Sequence, residues 1–217
     1  MTMLSTTSNH AKSWLENISS KDSVAIINDV DSDGMCSGVL MSEYLKKKKI
    51  SHKNFFFYRG ISELKDFDLK NFNKVILLDL GKNMLIPQKD LIKGKDSLFI
   101  DHHNITPESL GENILEYTST AEICTSRLVY ELVGGKEFLM IIGVMSDAGE
   151  KYPENDSLIK NYFEKNKIDK EEYKTRYIWR FGSLLVGLEK DFPKAFEIVK
   201  SLKSIEDIEN HRNYWGP

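Results

Sequence analysis

The chain has 217 residues, 41% of them apolar, which excludes disordered and fibrous classes and allows one sizeable core with a small appendage. Lys and Arg total 30 against 33 Asp and Glu, so the net charge of -3 exerts no global pull on nucleic acid or an anionic membrane, and a phosphate-bearing ligand has to be held locally. The cysteines Cys36 and Cys124 fit buried free thiols in a reducing compartment, and MTMLSTTSNHAKSW has neither a signal peptide's apolar run nor the roughly 18 apolar residues of a membrane span; the expectation is a soluble cytoplasmic protein.

Ser23 to Asn28 (SVAIIN) is a short β-branched run, followed by the polar turn DVDSDG and an amphipathic stretch from Met35 to Lys48: strand, loop, helix. The lysines from Lys46 to Lys49 complement the dipole at the end of that helix and are expected to be solvated there. Further strands are expected at Asn54 to Tyr58, Lys74 to Leu80 and Ser97 to Ile100. Near-continuous apolar strands alternating with helical segments predict an α/β fold: a doubly wound, mostly parallel sheet flanked by helices. Thr120 to Leu132 has helical spacing and stops at Gly134 and Gly135. Periodicity allows FLMIIGVM to be a buried helix or a last strand, and the helix is preferred. From Asp156 onward the pattern is a charged C-terminal helical segment, whose aromatics Tyr173, Tyr177, Trp179 and Phe181 read as core in this mixed-charge setting rather than as a base-stacking platform. No repeat and no linker rich in Pro, Gly or Ser interrupts the chain.

On this scaffold Asp29, Asp31 and Asp33 follow the first strand, Asp79 ends the third, and Asp101, His102 and His103 end the fourth. Ligands of open parallel sheets bind beyond the carboxyl ends of the strands, so these groups should converge. Packed carboxylates repel one another and raise their own pKa values unless a cation intervenes. Oxygen ligands with one or two imidazoles suit manganese or magnesium better than structural zinc, and neither cysteine has a partner at zinc-ligand spacing. The chemistry expected is two-metal hydrolysis, with one carboxylate bridging two ions and a water activated near neutral pH.

Blander readings compete. An Asp-rich loop after a strand is commonly a solvated turn or helix cap. DVDSDG also imitates the start of a calcium loop, but the acidic residue needed at its twelfth position is Leu40 here, and a strand rather than a helix precedes it. His102 and His103 could be surface histidines, although a pair directly after a strand-terminal Asp is harder to dismiss in a chain with five histidines.

Four segments in order, DVDSDGMCS, DLG, DHHN and GVMSDAG, resemble the motifs of the DHH phosphoesterases. That family includes RecJ exonucleases, nano-RNA phosphatases, cyclic-dinucleotide phosphodiesterases and manganese-dependent pyrophosphatases. The resemblance implies two Mn2+ or Mg2+ ions, with Asp31 on the first, Asp33 on the second, Asp79 bridging, His102 and Asp147 completing the second, and His103 contacting the substrate phosphate. It also implies that Ser37, the small hydroxyl residue following the first motif, helps hold an anion at a helix N-terminus.

Two departures qualify it. The pyrophosphatase and nano-RNase branches carry a metal-binding His where this chain has Ile27, so one metal site is expected to be poorer unless Asp29 compensates. Many relatives also have a second domain with a glycine-rich, His-containing motif, and nothing after Gly149 resembles it. The expected organisation is a catalytic domain over 1–150, with 151–217 a helical extension or the start of a linker to a missing second domain.

By resemblance the function expected is metal-dependent hydrolysis of phosphodiester bonds at single-stranded nucleic-acid ends or in short oligonucleotides. The alternative is a non-catalytic assembly subunit with a replication or repair partner protein. An aspartyl-phosphate phosphatase using Asp31 as nucleophile is a third possibility, but it leaves the Asp-His-His triplet unexplained and wants Thr where Met35 stands.

Overall fold

A computed structural model describes residues 3–103, 107–147, 149–188 and 191–210. Strands β1 (Ser23–Asp29), β2 (Ser51–Phe57), β3 (Lys74–Leu78), β4 (Asp96–Asp101) and β5 (Ile114–Thr118) form a five-stranded, all-parallel sheet in the order β2-β1-β3-β4-β5. The chain leaves β1 for β2 on one side and returns to β3 on the other. The carboxyl ends of β1 and β3 therefore flank the crevice where the winding reverses.

Alternation along the strands feeds two cores. On one face Val24, Ile26, Ile76, Leu78, Leu98 and Ile100 pack under helices α1 (Met3–Glu16), α2 (Ser32–Lys47), α4 (Thr125–Val133) and α5 (Glu137–Ser146). On the other face Ala25, Ile27, Val75, Leu77 and Phe99 are covered by Leu64, Leu85, Ile92 and Leu110, which lie in short turns, the brief helix α3 (Lys82–Leu85) and loops. The expected helical layer is thus substantial on one face and abbreviated on the other.

Helices α6 (Asp156–Asn166), α7 (Lys170–Tyr173), α8 (Trp179–Gly187), α9 (Phe192–Ser201) and α10 (Asp207–Asn210) form the C-terminal segment, with a π-helical turn at Lys174–Ile178 joining α7 to α8. Their apolar side chains join the first core: Phe196 of α9 meets Phe56 of β2 with ring centroids 5.3 Å apart. Tyr173, Tyr177 and Phe181 are buried as expected of core aromatics, whereas Trp179 is 73% exposed.

The lysine run closes α2, and Lys48 donates from Nζ to the carbonyls of Leu15 (3.0 Å) and Glu16 (3.2 Å) at the end of α1. Cationic groups satisfy such orphaned last-turn carbonyls well. FLMIIGVM falls within α5, so the helix preferred over a strand is what forms. The third strand stops at Leu78 instead of Leu80, because Asp79 adopts φ 65° and a left-handed residue cannot continue a strand. Helix α4 begins at Thr125 rather than Thr120, leaving Cys124 as its N-cap. Strand β5 and helix α1 were not expected: ILEYT is mostly half-buried, with only Tyr117 fully covered, and carries no strong apolar alternation.

Candidate metal centre

The sequence places an Asp at each critical turn of the rim, and the sheet brings them together. Asp31 caps α2, its carboxylate accepting from the Gly34 amide at 2.9 Å. Asp33, in the first turn of α2 and 1% exposed, points across to α4, where its two oxygens accept from the amides of Thr125 (2.8 Å) and Ser126 (2.9 Å). A carboxylate at the positive end of a helix, with two backbone donors, is strongly held. Asp79 accepts from the Thr125 hydroxyl at 2.9 Å, and its left-handed backbone turns the side chain back over the crevice.

His102 binds these elements into one cluster. Its Nε2 lies 3.0 Å from Asp147, 3.4 Å from Asp79 and 3.8 Å from Asp33. His103 stacks beside it with ring centroids 4.7 Å apart, and its Nδ1 is 2.7 Å from a carboxylate oxygen of buried Asp101 and 3.7 Å from Asp79. Among the described residues, three sets of donor atoms lie mutually within 4.8 Å and could each hold an ion: Asp33, His102 and Asp147; Asp29, Asp31 and Asp79; Asp79, His102 and His103. Asp79 belongs to two of the sets, the placement a bridging carboxylate needs. The donor set, oxygen-rich with imidazole nitrogen and no thiolate, fits a hard divalent cation.

Ser37 does not join the cluster. It is fully buried inside α2, and its hydroxyl donates to the Asp33 carbonyl one turn back.

Several residues at the site were not singled out from the sequence. Arg59, two residues beyond β2, reaches Asp29 at 2.5 Å, Asp31 at 3.8 Å and Asp79 at 4.0 Å. An isolated Arg after a strand carries no distinctive pattern. Ile27 lies in the apolar core beneath this point, so the guanidinium rather than an imidazole faces the Asp29 side of the rim. Asp101, by contrast, was expected at this rim beside the histidine pair, and it holds His103. Gly143 of α5 packs so closely that a β-carbon there would meet Ser126 Oγ at 2.0 Å and Asp33 Oδ1 at 2.6 Å.

Crowding shows in the proton affinities. Burial, with the Asp31 charge adding to it, pushes the Asp29 carboxyl up to about 7 despite the opposing Arg59. Burial and then Asp33 raise Asp147 to about 6, against the pull of His102. Burial followed by the Asp33 charge also holds Asp79 well above the ordinary carboxylate range. The hydrogen bond to Asp101 raises the His103 imidazole.

Asp29 and Asp147 bind protons more tightly in the folded chain than at the ordinary value of 3.8, so their contribution to stability without metal is present at low pH. That contribution is lost as the pH rises through about 6 and about 7. Bound cations should offset this loss, since protons and metal compete for the same oxygens. Manganese is accordingly expected to raise Tm more at about pH 8 than at about pH 5. Thermal scans with manganese or EDTA check this, and equal gains at both pH values would contradict the linkage.

An all-parallel α/β domain with a carboxylate and imidazole cluster at its winding reversal defines a class of candidate hydrolytic metal proteins. Residues 23–161 match the DHH family, N-terminal domain, and the chain belongs to that family. No curated protein matches it significantly in sequence. Among solved structures it is similar to exonuclease RecJ bound to manganese (TM-score 0.72, 14% identity, covering 95% of this chain and 65% of that one). It is also similar to RecJ in complex with Mn2+ from Thermus thermophilus (TM-score 0.65, 12% identity, 94% and 36%) and to CDC45 from Entamoeba histolytica (TM-score 0.50, 11% identity, 95% and 54%). The chain thus spans less than two thirds of each of these proteins, and at such identities the likeness is one of fold.

Proposed function

We propose that the chain is a manganese- or magnesium-dependent phosphodiesterase acting on single-stranded nucleic-acid ends or short oligonucleotides. The convergence of Asp31, Asp33, Asp79, His102 and Asp147 on one rim, with His103 beside them, is the main support. In this reading Asp33, His102 and Asp147 hold one ion, Asp31 with Asp29 the other, and Asp79 serves both. Bound divalent cations supply charge stabilisation to the phosphoryl oxygens and lower the pKa of water. His103, fixed by Asp101, donates to the phosphate. Manganese is preferred because two similar folds hold it. Residues 1–150 would form the catalytic unit and 151–217 a helical extension. Among the described residues no helix is long and apolar enough to cross a membrane. A cytoplasmic location belongs to this reading, with the free, buried Cys36 and Cys124 as its support.

The test is a panel of short single-stranded DNA and RNA, cyclic dinucleotide and pyrophosphate with manganese. Nucleotide release from the oligonucleotides is expected, and its absence from an ion-loaded protein would overturn the activity. The second reading, a non-catalytic assembly subunit, draws on the CDC45-like fold and on Arg59, whose charge already neutralises part of the Asp29, Asp31 and Asp79 set. Calorimetry separates the two. Catalysis predicts two manganese ions, the tighter at Asp33, His102 and Asp147, whereas a scaffold predicts no detectable binding.

A further inference from the structure

Beside the metal centre lies a cleft of about 520 Å3 with two chemically different ends, a size within the range of about 300–1,000 Å3 for small-molecule sites. At one end Asp31 and Arg59 belong to the acidic rim already described. The opposite wall is apolar, made by Tyr58 after β2, Leu185 and Val186 of α8, and Phe192 of α9. Tyr58 and Phe192 meet edge to face, ring centroids 5.6 Å apart at 64°, which fixes the aromatic part of that wall. Val186 is 79% exposed, an apolar side chain left at the lip for a ligand to cover.

We propose that this cleft seats the terminal nucleoside of the substrate, its phosphate toward Asp31 and Arg59 at the metal rim and its base against Tyr58, Val186 and Phe192. The proposal rests on the phosphodiesterase reading and deepens it by naming what the site grips besides phosphorus. A substrate such as pyrophosphate, polar throughout, would gain nothing from an apolar wall beside the ions. A nucleoside phosphate has one anionic end and one flat, weakly polar face, and the cleft offers a counterpart to each. The DHH match covers residues 23–161, so Tyr58 of the wall lies within it while Leu185, Val186 and Phe192 come from helices beyond it. In this chain the C-terminal helices would perform the substrate-holding task.

Gly182 of α8 lines the cleft, and a β-carbon there would meet no atom within 4 Å. Gly182→Phe therefore starts from open space at its β-carbon and puts a ring into the seat, and Gly182→Ala controls for the helix itself, where alanine is favoured by about 0.5–1 kcal/mol. The measurement is binding of AMP, dAMP and inorganic phosphate to the manganese-loaded chain by calorimetry, beside the manganese isotherm. Wild type should bind at least one nucleotide about tenfold or more tighter than phosphate, and the AMP and dAMP arms distinguish an RNA from a DNA source. Gly182→Phe should erase that preference with manganese and phosphate binding unchanged, and Gly182→Ala should keep it with no loss of Tm. Nucleotide binding no tighter than phosphate in wild type, or a preference surviving in Gly182→Phe, would overturn the nucleoside seat while leaving the hydrolytic reading intact. A wild-type chain without manganese affinity would overturn both.

Discussion

Replacing Asp79 by Asn is expected to abolish hydrolysis while leaving the fold in place. Asp79 stands in two of the three candidate ion-binding sets and is held by the Thr125 hydroxyl at 2.9 Å. Asn is the informative substitution. It keeps the volume and the acceptor for Thr125, and it tolerates the left-handed backbone at φ 65°, whereas Ala there would add strain of about 1–2 kcal/mol. Only the charge and one metal-binding oxygen are lost. Metal-assisted charge stabilisation is worth several kcal/mol, so the rate should fall on the order of a thousandfold or more. Manganese affinity should weaken at both steps of the isotherm. Assay and calorimetry on the same preparation decide it: full activity in Asp79→Asn would refute the bridging role, and weakened metal at one step only would reassign Asp79 to a single ion.

Gly143→Ala is expected to damage both the fold and the metal centre. Its added methyl would lie 2.0 Å from Ser126 Oγ and 2.6 Å from Asp33 Oδ1, both groups buried and both fixed by neighbouring elements. Relief requires α5 to move off α4 or Asp33 to leave the Thr125 and Ser126 amides. Overpacking of this kind costs about 1–3 kcal/mol, and a hydrogen bond to a charged group is worth about 1.5–3 kcal/mol more if it breaks. For a chain of this size each kcal/mol lowers Tm by about 2–4 °C. The manganese step proposed at Asp33, His102 and Asp147 should weaken with it. An unchanged Tm together with unchanged manganese binding would show that the α4 and α5 contact is softer than its geometry implies.

The strand and loop sites of the cluster were readable because their cues are local. Continuous apolar runs place β1, β3 and β4, and an Asp just past each strand marks the rim. What escaped depends on contacts between distant segments. Gly143 sits in an apolar run whose composition says nothing about a carboxylate from residue 33 pressing on it. Arg59 becomes notable only when β2 lies beside β1 and delivers it to Asp29. The surroundings of Ser37 were likewise not legible: one turn of helix places its hydroxyl under the carbonyl of Asp33. Strand β5 escaped because its mostly half-buried residues show no period strong enough to distinguish them from a loop.

The openings of α2 and α4, which in many folds greet an incoming oxyanion, are taken here from within: Asp31 occupies one and Asp33 the other. An arriving phosphate therefore meets resident negative charge where it would otherwise find bare peptide dipoles. Stripping the protein of divalent ions should consequently deny the substrate entry altogether, so that chelation appears as loss of capture and not merely as slower turnover.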